Sequence, residues 1–190
     1  MKQKIAGDLE QRFSELGFAG QGVEAPRAGA DVSIRTLDRH FPSREAMVLG
    51  ALKHRDRAYF DWLASGPQTG GPQTDEARTG AAHVLHPIFR QGDWLGEVAN
   101  TGCLFMTALA EHRESTAIAA AVRAHKARLA DEFNRRLKAL APDRETDQLA
   151  ETLFLLHEGM TQTARLHRRD RATTAALAAA RAALAAEGIT

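Results

Sequence analysis

The sequence predicts an all-α protein. Three observations carry this. Apolar residues recur at steps of three and four along most of the chain, which is the pattern of amphipathic helices. No run of alternating β-branched residues marks a strand. The longest apolar stretches fall well short of the about 18 residues that a membrane span requires.

The elements follow in order. Ile5, Leu9, Phe13 and Leu16 place one apolar stripe on a first helix, and Gly17 stops it. A second short helix is expected over 23–30, weakened by Pro26, which lacks a backbone donor. Asp31-Val32-Ser33 reads as a tight turn, with Ser33 capping a third helix that runs to His40-Phe41. Pro42-Ser43-Arg44-Glu45 opens a fourth helix, with Ser43 as cap and Glu45 in the first turn, where the helix dipole favours an anion. Met47, Leu49, Leu52, Tyr59, Phe60 and Leu63 are its apolar positions.

The near-duplicate Gly66-Pro67-Gln68-Thr69 and Gly71-Pro72-Gln73-Thr74 reads as a surface loop. Thr74 then caps a helix over 75–91, and Gly92-Asp93-Trp94-Leu95-Gly96 is read as a break. A helix over 98–112 follows. Two long helices, 115–140 and 144–167, carry Ile118, Val122, His125, Leu129, Phe133, Leu137 and Leu140, then Leu149, Leu153, Leu156, Met160, Thr163 and Leu166. An alanine-rich helix over 171–187 closes the series.

Composition bounds the setting. The 190 residues carry a net charge of +1, with 44% hydrophobic and 26% charged residues, so a folded core is expected rather than disorder. Cys103 is the single cysteine, which excludes an intramolecular disulfide and a four-cysteine zinc site. Asp8 and Glu10 come too early for a secretory signal, and a soluble, reducing, cytoplasmic setting is expected. Residues 1–60 hold ten Lys/Arg against eight Asp/Glu. That excludes a protein that coats nucleic acid by bulk charge, and leaves room for a local basic patch.

Residues 23–41 have the spacing of a helix-turn-helix, in which the second helix presents its N-terminal end to the major groove. The wording of the first sixty residues sharpens this: Phe13-Ser14-Glu15-Leu16-Gly17-Phe18, Val23-Glu24-Ala25, Val32-Ser33, Thr36-Leu37, and Arg39-His40-Phe41-Pro42-Ser43-Arg44-Glu45-Ala46-Met47-Val48-Leu49. In these stretches the chain resembles the TetR family of bacterial transcriptional regulators. Thr101-Gly102-Cys103-Leu104-Phe105 and Leu155-Leu156-His157-Glu158-Gly159 are similar to segments of one subgroup of that family.

The resemblance implies an all-helical homodimer. It has a helix-turn-helix head over residues 1–45 and a ligand-binding and dimerisation core over 46–190. By position the recognition helix is Ile34–His40, with Ser33, Arg35, Thr36, Arg39 and His40 nearest double-stranded operator DNA. Arg35 or Arg39 suits a bidentate contact to guanine, Ser33, Thr36 and His40 suit phosphates, and Arg44 at a helix start suits another phosphate. The chain departs from the family at Gln21-Gly22, Pro26, Asp31 and Asp38. Asp38 sets a negative charge near DNA, so a weakened head is expected.

Other residues keep two readings. His86, Phe89, Trp94, Phe105, Met106, His157 and Met160 are either plain core or, as the resemblance implies, the lining of a cavity for an apolar or aromatic effector, with Cys103 beside them. Cys103 has no neighbouring cation to activate it and reads as an inert thiol. His83 and His86 are three apart but lack a third metal ligand at a telling spacing. Gly102 and Gly159 are read as helix interiors. No nucleophile elbow, phosphate loop, paired-carboxylate site or zinc-hydrolase helix is found, so neither an enzyme nor a cofactor is expected. The two long apolar stripes are expected to form the dimer's four-helix bundle.

The resulting expectation is a ligand-responsive repressor. The alternative is a helical dimeric small-molecule or protein-binding module with a degenerate DNA-binding head.

Overall fold

The computed structural model describes residues 1–18, 33–65, 80–99 and 102–189, with only the backbone at Ile34. Among them the regular structure is helical throughout: α1 (Lys2–Leu16), α2 (Ile34–His40), α3 (Arg44–Ala64), α4 (Ala81–Glu97), α5 (Leu104–Glu111), α6 (Thr116–Leu140), α7 (Asp147–Thr163) and α8 (Arg169–Ala186). The helix expected over 23–30, with Pro26, the turn at Asp31, the glycine-proline loop and the Thr74 cap lie outside the described residues. None of these helices is long and apolar enough to cross a membrane. The chain divides into two compact units, Met1–Asp61 with Cys103–His125, and Trp62–Gly102 with Lys126–Thr190.

The first unit is built on the α1 stripe. Ile5, Leu9 and Phe13 are at most 2% exposed, and Phe18 stacks on Phe13 at 4.7 Å. Gly17 allows the reversal between them, at φ 73°, where a side chain would strain the backbone. Leu37 and Phe41 join this core with Met47, Val48, Ala51 and Leu52 of α3 and with residues of α5 and α6. Arg55, also buried, gives Nε to Glu10 at 2.8 Å and Nη2 to Ser14 at 2.9 Å, so its charge is paired rather than stranded.

In the second unit α8 packs against α4 and α7. Its buried Ala172, Ala176 and Ala180 are small enough for close approach, and Leu177 and Leu184 fill what remains. The break read at 92–96 is absent, because α4 continues to Glu97. Tertiary burial overrides the glycines: Trp94 and Leu95 are each 6% exposed, and Gly92 faces Thr173 where a Cβ would come within 2.8 Å. Pro87 also sits inside α4. It cannot donate to the His83 carbonyl four residues back, and Arg136 Nη1 donates to that oxygen instead, at 2.8 Å.

Two further expectations change. The helix read over 98–112 is shorter, Leu104–Glu111, and Gly102 precedes it in the left-handed region at φ 98°. The long stripes are mostly inward: Ile118, Leu129, Phe133, Leu137 and Leu153 are fully buried within the single chain, while Leu166 is exposed. Large apolar residues on the outside of this region are Leu155 and Leu166, 60% and 80% exposed.

Candidate nucleic-acid interface

Helix α2 is fixed at both ends by its own sequence. Ser33 Oγ accepts from the Thr36 N–H at 3.3 Å and lies 2.9 Å from Thr36 Oγ1, satisfying donors that the first turn leaves free. At the other end the Phe41 N–H bonds to Leu37 O at 2.8 Å. Ser43 then caps α3, accepting from the Ala46 N–H at 3.1 Å.

Each helical residue turns by about 100°, so positions 35 and 39 share a face and position 37 lies opposite. The burial agrees: Leu37 is 1% exposed in the core, while Arg35 and Arg39 are exposed. Ser33 is exposed, and Thr36, Asp38 and His40 are half-buried. Arg39 and His40 also occupy the last turn, where cations suit the helix dipole. Arg44 is the exception among the expected contacts. It is half-buried, and its guanidinium donates to the Phe18 carbonyl.

The expected effector residues are divided between the units. Cys103, Phe105 and Met106 belong to the first. Phe105 is core, stacked on His125 at 3.7 Å, whose Nδ1 meets Asp56 at 2.8 Å; Met106 is 40% exposed, and Cys103 is half-buried.

The second unit holds His86, Phe89, Trp94, His157 and Met160, all buried except the half-buried Phe89. His86 Nε2 donates to the Leu63 carbonyl at 2.9 Å. Burial, then the charges of Arg136 and Arg90, hold this imidazole below its usual pKa against the effect of that bond. Trp94 packs edge-on to Trp62 at 5.6 Å.

Sequence reasoning missed several polar residues here. Arg90 lies over the Trp62 ring at 4.2 Å and bonds to Trp62 O at 2.8 Å, while Trp62 Nε1 donates back to Arg90 O at 3.1 Å. Gln91 Nε2 donates to Thr161 at 2.8 Å, but the buried Gln91 Oε1 and Thr173 Oγ1 have no hydrogen-bond partner. Nothing in the local sequence marks these residues, because distant helices bring them together.

No family model and no curated protein matches the chain. Among solved structures it is similar to a TetR-family transcriptional regulator from Streptomyces coelicolor, with 21% identity and a TM-score of 0.80 over 97% of this chain and 89% of that one. It is similar to a TetR transcriptional regulator from Streptomyces avermitilis, with 22% identity and a TM-score of 0.78 over 100% of this chain and 98% of the other. It is also similar to the multidrug binding protein EbrR, solved with imidazole, with 20% identity and a TM-score of 0.59 over 92% and 87% of the two chains. The fold is therefore that of TetR-family transcriptional regulators, and the resemblance read from the N-terminal motifs extends at fold level across nearly the whole chain.

Proposed function

We propose that this chain, with the fold of TetR-family transcriptional regulators, is a dimeric DNA-binding regulator, a repressor that a small molecule releases from its operator. One observation carries the reading. The capped helix α2 turns Arg35 and Arg39 outward together while Leu37 and Phe41 anchor its other side in the core. A rigid helix with two exposed guanidiniums one turn apart suits base readout in the major groove. Ser33, Thr36 and His40 flank them for phosphates, and residues 1–45 are the DNA-reading part of the chain. A protein with this role works in the cytoplasm, where the operator is.

The effector reading rests on the second unit. It holds buried polar atoms without partners at Gln91 Oε1 and Thr173 Oγ1, and an apolar or aromatic ligand with one polar group would satisfy them. The likeness to a multidrug binding protein supports the same class of ligand.

Selection of duplexes from a random DNA pool tests the reading, followed by binding of the best site at low and moderate salt. Arg39→Ala should weaken that site by about 1–3 kcal/mol while leaving bulk DNA binding nearly unchanged. If no sequence is enriched, or if Arg35→Ala and Arg39→Ala both bind like wild type, the helical binding module without DNA readout replaces it.

A further inference from the structure

A groove in the first unit is lined by residues of α1 and α3 and by His40 and Phe41 at the end of α2. It encloses about 470 Å³ between the start of α1 and one face of α3, the size of a small-molecule site. Its floor is apolar, with Phe41 and Ala6 at 2% and 7% exposure and Leu49 beside them. Gly50 lets Phe41 lie there, since a Cβ at that position would run into the ring. The rim is cationic. Lys2, Lys53 and Arg57 line it and, among the described residues, no carboxylate does, though Glu10 lies 3.5 Å from the lining His54. Lys2 Nζ sits 5.5 Å from the centre of the Phe41 ring.

Clustered cations around a concave wall with no lining anion create a positive potential that an anion relieves. Lys53 and Arg57 stand one turn apart on α3 and are exposed, so both can reach one carboxylate. A bare phosphate would meet the cations and leave the half-buried Leu49 wet. An anion with a flat apolar body covers both.

We propose that this groove binds a small amphipathic organic anion, an aryl or acyl carboxylate, with its body on Leu49 above the buried Phe41 and its charge between Lys53 and Arg57. The site belongs to the unit that carries α2 and is distinct from the effector residues of the second unit.

The test titrates 2-naphthoate, and its neutral analogue 2-naphthalenemethanol, into the full chain without DNA, read by calorimetry and saturation-transfer NMR. Naphthoate should bind in the millimolar range or tighter, and the alcohol about tenfold more weakly. Lys53→Gln/Arg57→Gln should lose about tenfold in naphthoate affinity, and Ala46→Glu, which adds a carboxylate at the rim and removes no cation, should lose as much. Absence of binding, equal affinity for the two compounds, or unchanged affinity in both variants overturns the proposal. So does a double variant that keeps naphthoate binding but loses DNA affinity and salt dependence, because the groove is then a phosphate footprint. The naphthoate titrations need no DNA, so their outcome is separate from that of the repressor reading.

Discussion

Glu158 shows how a single carboxyl ties pH to folding. Burial alone would raise its pKa, but it is brought down to about 2. His157 Nδ1 lies 3.4 Å from one oxygen and Lys126 Nζ 2.6 Å from the other, and both favour the charged form. An unfolded carboxyl titrates near 4.5. The stabilisation is therefore complete above about pH 4.5 and is lost as pH falls through about 2. It amounts to about 3 kcal/mol. Glu158→Gln should lower the urea midpoint at neutral pH and flatten its decline across that acid window. A variant whose midpoint falls with pH as steeply as wild type would refute this. In the proposed complex with DNA, Asp38, next to Arg39 in sequence, poses the opposite problem, since its charge would be repelled by the phosphates. Asp38→Asn should tighten binding to the selected site and steepen its salt dependence, measured by anisotropy at several salt concentrations.

Helix ends were legible where a side chain defines them. Gly17, Ser33 and Ser43 each sit at the boundary their residue type predicts. The end of helix α4 was not legible in the same way, since the glycines at 92 and 96 argue locally for a break. The burial of Trp94 and Leu95 decides otherwise, and it is a tertiary fact. The groove was illegible for a similar reason, because its cations come from separate segments of the chain.

The Pro87–Arg136 pairing can be measured directly. Arg136→Met should destabilise by about 1–3 kcal/mol, because it leaves the His83 carbonyl without its donor, while Glu132 keeps Arg135. In a Pro87→Ala background the alanine N–H restores the helical bond. The same substitution should then cost about 1 kcal/mol less. A double-mutant cycle by urea unfolding reads the coupling, and additive effects would show that Arg136 does not serve that carbonyl.

At the scale of the whole molecule, most residues of the long apolar stripes are covered by the chain itself, Leu166 excepted. What remains outside is narrower. Leu155, Gly159 and Leu166 share one face of α7 and the turn after it, two of them exposed leucines and the third a glycine with open space where a Cβ would stand. Each leucine covered by a second copy contributes about 1.5–3 kcal/mol, and a two-fold axis counts each contact twice. The bare backbone at Gly159 lets a facing helix approach closely. Leu155→Glu should therefore give a monomer with native helicity by sedimentation and circular dichroism. Phe133→Glu, which buries a carboxylate in a fully enclosed position, should lose helicity at any oligomeric state. If wild type sediments as a monomer at micromolar concentration, or if Leu155→Glu remains dimeric, the second copy does not sit on this face of α7.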